Sequence, residues 1–480
     1  MEGRMGITLW LLQGPKRAMQ FSGRLLIRSL SSSSAIIITS SSSSSSTLQQ
    51  IATTRKGVAK VILKKGKTQL FRDGSPMVYS GAVDRIVGRP PPKTGDVVLV
   101  ADGTEKPIGW GLYNSVSMFC VRLMQLEEEA ARDPSSALDM EKLLETRIDA
   151  ATELRKNLGL PCAHTNAFRL VNSEGDRINL ASRLWVSAFI HMDRLSGLIV
   201  DVFGDLAVIA SSAAWVEKYK PEIEYFISRI NGINGIKWRP SVDMLKEEGL
   251  EVSDPSDPPL LPSPGMVKVI ENGISYAISL EGQKTGFYAD QRENRRFISS
   301  ISEGQKVLDL CCYSGGFALN ASRGGAVNVI GIDTSLPALE LAQENMLLNN
   351  LDPGKISFLR EDATQFMKNA VSSHESWDLV ILDPPKLAPR RKVLQNASGM
   401  YRNLNSLAMR VTKKGGLLMT CSCSGAMTQS GTFLHVLQGA ASMAGRKVTV
   451  VRQAAAGCDH PIDPSYPEGA YLSNVLLRVL

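Results

Sequence analysis

The sequence predicts an α/β protein whose carboxyl-terminal part is a doubly wound sheet of mainly parallel strands, preceded by a small β-rich domain and an α+β middle region. Three observations predict this fold. Six short apolar segments alternate with helical patterns between residues 306 and 452, as in a parallel sheet covered by helices. Short apolar strands separated by turn residues occupy residues 58–126. Residues 253–264 are rich in proline and serine, which predicts a linker between the two parts.

The first 56 residues differ in composition from the rest of the chain. They contain seven basic residues, the single acid Glu2 and a serine-rich tract over residues 31–46. This composition indicates a disordered organellar transit peptide, directed to a mitochondrion or a chloroplast, with an ordinary disordered tail as the alternative. The formal net charge is +7, and seven basic residues less one acid place six of those charges here. The remainder is nearly neutral, so any affinity for nucleic acid must come from local patches.

Residues 57–128 are predicted to form the β-rich domain, with strands at 58–63, 97–100 and 118–123. The turn after the first of these strands carries a local basic patch, which is the candidate RNA-binding surface: Lys64, Lys65, Lys67 and Arg72. Residues 129–264 form the middle region and begin with a helical pattern over 127–160.

The sequence predicts no membrane-spanning segment, no zinc site and no disulfide framework. No apolar run approaches the roughly 18 residues needed to cross a bilayer, so we expect no membrane-spanning segment. The chain has seven cysteines, and none of them has the paired CxxC spacing of a zinc site. Their odd number also argues against a framework of disulfides. We therefore expect neither a metal nor a membrane partner.

The third domain, residues 265–480, contains the candidate cofactor site. The apolar strand 306–310 runs into a loop of small residues, Ser314, Gly315 and Gly316, which lets the backbone approach a ligand closely. A second apolar strand ends in Asp333, about 20 residues further on, where a carboxylate can accept hydrogen bonds from ribose hydroxyls. The third glycine of a dinucleotide loop is absent. The pattern predicts a nucleoside cofactor without a pyrophosphate.

This loop resembles motif I of the class I methyltransferases, which bind S-adenosylmethionine. The resemblance implies that Asp333 binds the ribose and that Asp362, which follows the strand 356–359, lies beside the adenine amine. The segment 284–294, KTGFYADQREN, resembles the part of the family that covers the cofactor. The full set of implied cofactor residues is Asp309, Cys311, Tyr313, Ser314, Gly315, Gly316, Phe317, Asp333, Asp362, Asp383, Tyr288 and Gln291.

Nearly all of the chain after residue 57 resembles the RlmI-like family, bacterial enzymes that methylate carbon 5 of cytosine in large-subunit ribosomal RNA and carry an amino-terminal PUA domain. The motifs that carry the resemblance are LKKG at 63–66, YSGAV at 79–83, VDVFGD at 200–205, DPPK at 383–386, TCSCSG at 420–425, DHP at 459–461 and YPEG at 466–469. The resemblance implies large-subunit ribosomal RNA as the partner. Residues 178–194 depart from the family as an apparent insertion.

Carbon 5 of cytosine is a poor nucleophile, so its methylation needs a transient covalent bond at carbon 6, for which a cysteine thiolate is the usual agent. The family pattern places that cysteine at Cys423, with Cys421 as the competing candidate. Asp383 follows a predicted strand and is expected to accept from the exocyclic amine of the base, and Lys386 is the candidate that activates the thiol.

Some alternatives remain open at this stage. The base that removes the proton from carbon 5 is Asp383, Asp459 or a water, and His460 is either catalytic or structural. The competing functions are methylation of a guanine, which needs no cysteine, and a non-catalytic role in RNA binding or ribosome assembly.

Overall fold

The computed structural model describes residues 47–55, 57–172, 193–251, 265–282, 285–387, 394–464 and 466–480. The predicted linker, residues 253–264, lies outside these ranges. No helix within them is long and apolar enough to span a membrane. The same ranges contain no cluster of three or more side chains suited to hold a metal ion.

The amino-terminal domain is a six-stranded sheet with the spatial order β2, β6, β5, β4, β1, β3. Its elements are helix α1 (Thr47–Thr54), β1 (Ala59–Leu63), α2 (Gln69–Arg72), β2 (Met77–Tyr79), β3 (Val83–Val87), β4 (Val97–Ala101), β5 (Pro107–Tyr113) and β6 (Phe119–Leu126). Strands β1, β4 and β6 lie where the apolar segments predict them. The sequence analysis did not assign β5, although its Trp110 is fully buried and donates a hydrogen bond to Gln125 (2.8 Å).

Helix α1 corrects the prediction for residues 1–56. Leu48 is fully buried in the core that this helix shares with the middle region, and its backbone N–H donates to Glu127 (3.2 Å). Burial of a leucine contributes about 1.5–3 kcal/mol, which fixes the helix against the folded chain. The predicted disordered leader is therefore wrong for residues 47–55, and residues 1–46 lie outside the described residues.

The middle region is an α+β unit around a four-stranded sheet with the order β10, β9, β8, β7. Its elements are α3 (Glu127–Arg132), α4 (Met140–Asn157), β7 (Ala167–Val171), β8 (Leu198–Phe203), β9 (Leu206–Ser211), α5 (Ala214–Lys218), α6 (Lys220–Ser228), β10 (Gly235–Pro240) and α7 (Val242–Glu247). Most of the apparent insertion 178–194 lies outside the described residues. Its end does not: Asp193 is buried and accepts two hydrogen bonds from Arg155 (2.8 and 2.9 Å). This end of the segment therefore belongs to the core.

The carboxyl-terminal domain begins with a hairpin and continues as a seven-stranded sheet covered by helices. Its strands are β11 (Met266–Glu271), β12 (Ile274–Ser279), β13 (Lys306–Leu310), β14 (Asn328–Asp333), β15 (Ile356–Arg360), β16 (Trp377–Leu382), β17 (Thr412–Ser422), β18 (Val448–Ala454) and β19 (Ser473–Val479). Its helices are α8 (Arg292–Ser300), α9 (Gly316–Arg323), α10 (Leu336–Leu348), α11 (Ala363–Ser372), α12 (Leu394–Val411), α13 (Gly425–Ser430) and α14 (Phe433–Ala444).

The sheet has the order β15, β14, β13, β16, β17, β19, β18, which confirms the predicted doubly wound fold. Strands β13 to β17 pair in parallel, whereas β19, absent from the sequence prediction, is antiparallel to both β17 and β18. The strand order reverses between β13 and β16, where the backbone N–H of Asp383 donates to the carbonyl of Leu310 (3.3 Å). Open α/β sheets bind their ligands at such a switch point, beyond the carboxyl ends of the strands.

Candidate active site

The loop after β13 has an unusual backbone conformation, and the end of the loop has room only for a glycine. Cys311, Tyr313 and Gly315 all have left-handed conformations, with φ of 63°, 50° and 81°. A Cβ at Gly315 would lie 3.0 Å from the ring of Phe358 and 3.2 Å from Ala342. Glycine is therefore required here both by its backbone conformation and by the packing around it. The result is a tight turn that delivers the chain into α9.

Asp333, at the end of β14, is held against this loop by two backbone donors. One carboxylate oxygen accepts the N–H of Tyr313 and the other accepts the N–H of Ser335, both at 2.9 Å. The residue is half-buried, so part of the carboxylate faces solvent. A carboxylate fixed in this way can accept hydrogen bonds from the hydroxyls of a ribose.

Asp309 has a different environment from the other predicted acids. It is fully buried beneath the loop, where one oxygen accepts the N–H of Ala318 (2.9 Å) and the other has no hydrogen-bond partner among the described residues. Burial raises its pKa well above the usual value, and the nearby carboxylates of Asp383 and Asp333 raise it further. Asp309 therefore stabilises the first turn of α9 from the buried side of the loop.

The remaining predicted cofactor residues surround the loop. Tyr288 packs edge-to-face on Tyr313, with ring centroids 5.4 Å apart. Ser314 and Phe317 are buried, and Gly316 begins α9. Asp362 is exposed and caps α11 by accepting the N–H of Gln365 (2.9 Å). Lys284, at the start of the segment that resembles the cofactor cover, lies outside the described residues.

The thiol of Cys311 is not suited to act as a nucleophile. Burial raises its pKa above the usual range, and the charges of Asp333 and Asp383 raise it further. A thiol in such surroundings stays protonated at neutral pH, and the protonated form is a poor nucleophile.

Cys423 and the turn after β16 meet on the same edge of the sheet as the loop. The Sγ atom of Cys423 lies 3.8 Å from the carbonyl oxygen of Pro384, the residue after Asp383. Both Cys423 and Asp383 are partly exposed, so a ligand can reach them. Lys386 is exposed, and its ammonium makes no hydrogen bond or ion pair with the described residues, so the structure gives no contact through which it would activate the thiol.

Cys421 is fully buried within the sheet. Its sulfur accepts a hydrogen bond from Asn474 (3.2 Å), and burial raises its pKa well above the usual value. The two cysteines of TCSCSG therefore differ in access, because Cys421 lies inside β17 whereas Cys423 follows the end of that strand. This placement excludes Cys421 as the competing nucleophile.

Tyr401, which the sequence analysis did not single out, connects the two sides of this edge. It is fully buried on α12, and its phenol oxygen accepts a 3.0 Å hydrogen bond from the hydroxyl of Ser422. Leu387, in the turn after Asp383, packs against the apolar cluster that contains Tyr401, and burial raises the pKa of Tyr401 to about 12. Tyr401 therefore holds the end of β17 before Cys423 and belongs to the cluster on which the turn after Asp383 packs. No sequence motif marks Tyr401.

Comparisons with known proteins agree with this arrangement. The family model of S-adenosylmethionine-dependent methyltransferases matches residues 263–460, and that of PUA-like domains matches residues 61–126. Ribosomal RNA large subunit methyltransferase I of Erwinia tasmaniensis is 32% identical over 427 residues, which cover 88% of this chain and 99% of the relative. The chain belongs to the ribosomal RNA large subunit methyltransferase I family. The Escherichia coli K12 member is 30% identical over 422 residues, with the same coverage.

A solved structure shares the fold of this family member. A chain described as a SAM-dependent methyltransferase from Streptococcus mutans aligns with a TM-score of 0.68 at 19% identity, and the alignment covers 87% of this chain and 99% of that one. The fold predicted from the sequence, including the amino-terminal PUA-like domain, is thereby confirmed.

S-adenosylmethionine is the cofactor of this methyltransferase. The described residues fit it: Asp333 offers a fixed carboxylate for the ribose, and Gly315 keeps the turn free of a side chain. When bound, this cofactor supplies an electrophilic methyl group. The assignment of individual contacts to Asp362, Tyr288 and Gln291 stays a prediction.

Asp459 and His460 have a structural role in this family member. Asp459 is fully buried and accepts hydrogen bonds from the guanidinium of Arg292 (2.8 and 3.0 Å) and from the backbone N–H of Arg169 (2.8 Å). Burial opposes its ionisation, but His460 and Arg292 outweigh that effect and hold its pKa below the ordinary range. A carboxylate that is buried and has so low a pKa cannot remove the proton from carbon 5 of an RNA nucleobase bound at the surface. It instead joins the middle region to the carboxyl-terminal domain.

The predicted RNA patch is only partly available. Lys64, Lys65 and Lys67 are exposed on the turn after β1. Arg72 forms a 2.5 Å ion pair with Asp102, which offsets its charge. The patch on this PUA-like domain therefore depends mainly on the three lysines.

Proposed function

We propose that this protein methylates carbon 5 of a cytosine in large-subunit ribosomal RNA through a covalent intermediate at Cys423. The observation that carries the proposal is the 3.8 Å approach of the Cys423 sulfur to the carbonyl of Pro384. It places a partly exposed thiol beside Asp383, on the same sheet edge as the cofactor loop. The names of the relatives supply the RNA class, because they act on the large ribosomal subunit.

The reaction assigns a separate role to each of these two groups. Asp383 accepts from the exocyclic amine of the cytosine and orients the ring. The thiolate of Cys423 attacks carbon 6 and forms an S–C6 bond, and the electron pair of the 5,6 double bond moves to carbon 5, which takes the methyl group. A base, either Asp383 or a water, then removes the proton from carbon 5. The C6–S bond breaks, the double bond reforms and the thiolate leaves.

The base must leave its stack to reach this edge. Sequence-specific RNA enzymes act on loops and single strands, from which a base can be splayed into a pocket. The PUA-like domain, with the lysines of the turn after β1, is proposed to hold the surrounding RNA through its phosphates.

An adduct-trapping assay tests the covalent step. Large-subunit RNA containing 5-fluorocytidine keeps a fluorine where the proton must leave, so the protein should remain bound to it after methyl transfer. We expect a stable adduct from the unaltered protein and from Cys421→Ala, because Cys421 lies in the core. Cys423→Ala should form none and should lose methylation of ordinary RNA. Full activity of Cys423→Ala would instead indicate guanine methylation, and failure to bind S-adenosylmethionine in calorimetry would indicate an assembly role.

We further propose that the protein works in an organelle. The support is the basic, serine-rich composition of the residues that precede helix α1. Residues 1–46 fused to a fluorescent protein should accumulate in mitochondria or plastids, and a diffuse signal would refute this. Bisulfite sequencing of organellar ribosomal RNA from cells that lack the protein then identifies the nucleotide.

A further inference from the structure

A chain of hydrogen bonds runs from Arg452 through Asn294 and Gln291 to Asp383. The guanidinium of Arg452 donates to the side-chain oxygen of Asn294 (2.8 Å), whose amide nitrogen donates to the side-chain oxygen of Gln291 (2.8 Å). The amide nitrogen of Gln291 then donates to one carboxylate oxygen of Asp383 (3.1 Å). Asn294 and Gln291 are 1% and 3% exposed, so solvent does not compete for these bonds. The chain joins β18, α8 and the turn after β16.

The direction of this chain follows from its first member. A guanidinium can only donate, so Arg452 faces the oxygen of Asn294 and leaves the nitrogen to donate onward. The same reasoning orients Gln291, whose nitrogen must then face Asp383. The nitrogen of Asn294 also donates to the carbonyl of Ala455 (3.3 Å), so the cation and this carbonyl fix the amide in the same one of its two orientations. Asp383 receives a donor, which favours its ionised form.

An irregularity in β18 aims Arg452 at this chain. In the pairing of β18 with β19, Val450 is opposite Leu477 and Arg452 is opposite Leu476, so Val451 is an extra residue. In a regular ladder Val451 would lie opposite Leu476 and Arg452 opposite Val475, so Arg452 would project from the other face of the sheet. The guanidinium also stacks on the ring of Phe297 at 4.5 Å, one turn along α8 from Asn294.

We infer that Asn294 is a positioning residue that keeps Asp383 an acceptor for the amine of the target base. The inference rests on the proposed function, in which Asp383 recognises cytosine. Uracil presents a carbonyl oxygen where cytosine presents its amine. That oxygen and the carboxylate of Asp383 are both acceptors and cannot form a hydrogen bond, so uracil is rejected. Asn294 touches neither the base nor the cofactor in this scheme and acts only through Gln291.

The substitution Asn294→Asp tests the direction of the chain. An aspartate has the same shape but cannot donate, so the nitrogen of Gln291 turns to it and the oxygen of Gln291 faces Asp383. Two acceptors then oppose each other unless Asp383 is protonated. Other groups also face Asp383 and are unchanged by the substitution: Asp309, Cys311, Cys421, Cys423 and Tyr401.

We expect the acid limb of the pH profile of kcat/KM on cytosine-containing RNA to move upward by about one to three pH units in Asn294→Asp. Activity should recover at alkaline pH, and the preference for cytosine over uracil should fall at neutral pH. Asn349→Asp is the matched control: that amide bonds Ser275 and Asn345 and has no link to Asp383, so its acid limb should not move.

Three results would overturn the inference. The first is a uniform loss of rate at every pH in Asn294→Asp, which indicates that Asn294 has only a structural role. In that case, an adduct between the unaltered protein and 5-fluorocytidine RNA shows that the proposed function still stands. If the unaltered protein forms no adduct, the proposed function fails and the role of Asn294 fails with it. Should Asn294→Asp not fold, Gln291→Glu replaces the donor to Asp383 directly by an acceptor. It should move the limb in the same direction, and an unmoved limb there also refutes the chain.

Discussion

The hydroxyl of Ser422 donates a 3.0 Å hydrogen bond to the phenol oxygen of Tyr401, and Leu387 packs against the apolar cluster that contains the Tyr401 ring. Through this bond and this cluster, Tyr401 helps to set the distance between the strand end that precedes Cys423 and the turn that carries Asp383. The two groups of the proposed reaction are thereby held by a residue that takes no part in the chemistry.

Tyr401→Phe should therefore lower kcat by about 10- to 100-fold, because small displacements of reacting groups have large effects on rate. The dissociation constant for S-adenosylmethionine should stay within about twofold, since no hydrogen bond among the described residues joins Tyr401 to the cofactor loop. Rapid-quench methylation and calorimetry measure the two quantities. Tyr276→Phe is the matched control, because it also removes a buried hydrogen bond, from Asn320 (2.9 Å), and should leave kcat nearly unchanged. Equal losses in both variants would mean that Tyr401 contributes only stability.

Asp333→Asn should weaken S-adenosylmethionine binding by about 10- to 100-fold. The amide can accept only one of the two backbone N–H groups that Asp333 accepts, and hydrogen bonds to charged groups contribute about 1.5–3 kcal/mol. Isothermal titration calorimetry measures the effect. The exposed turn residue Asp352, which accepts the N–H of Gly354 (2.9 Å) before β15 begins, gives the control Asp352→Asn, with no change expected. Unaltered affinity of Asp333→Asn would remove Asp333 from the ribose site.

Asp459→Asn should destabilise the protein by about 3–5 kcal/mol at neutral pH, since it removes the fully buried counter-charge of Arg292 and leaves that guanidinium only the more exposed Glu293. The folded-state pKa of Asp459 is depressed, so its contribution is present above the unfolded pKa, about 3.9, and is lost as pH falls through the folded-state value. Chemical denaturation should show the difference from the unaltered protein shrinking below about pH 4. The exposed pair of Glu145 and Arg229 supplies the control Glu145→Gln, expected to cost under about 1 kcal/mol. A constant difference across pH would contradict the linkage.

RNA affinity should depend on the three lysines of the turn after β1 more than on Arg72. Each of Lys64→Ala, Lys65→Ala and Lys67→Ala is expected to lower the slope of log affinity against log salt by up to about 0.9 for a lysine that contacts a phosphate. Arg72→Ala should change it less, because Asp102 already pairs with that charge. Filter binding over a salt series measures the slopes. An Arg72 effect as large as that of the lysines would show that RNA displaces Asp102.

Much of the cofactor side was predictable because it depends on local sequence. A short apolar strand, a loop of small residues and an acid at the end of the next strand each leave a pattern within a few residues, and the alternation of strands and helices predicts a mainly parallel sheet. Strand β19 was missed because it follows a turn-rich segment and pairs antiparallel with its neighbours. It therefore lies outside the alternation of strands and helices from which the parallel strands were predicted. Helix α1 was missed because its eight residues are too few to show a clear apolar periodicity, and its burial in the core of the folded chain defines it.

By itself, the sequence determined the fold class, the cofactor loop with Asp333, and Asp383 and Cys423 as the two groups to consider for the acceptor. The tertiary structure alone decided which cysteine a substrate can reach, why Asp459 cannot be a base, and how Asp383 is oriented. The hydrogen bond from Gln291 to Asp383 spans 92 residues, and Tyr401 binds the end of strand β17 from a separate helix. Contacts between residues far apart in the chain leave no periodic or spacing signal, since they depend on which elements the folded sheet places side by side.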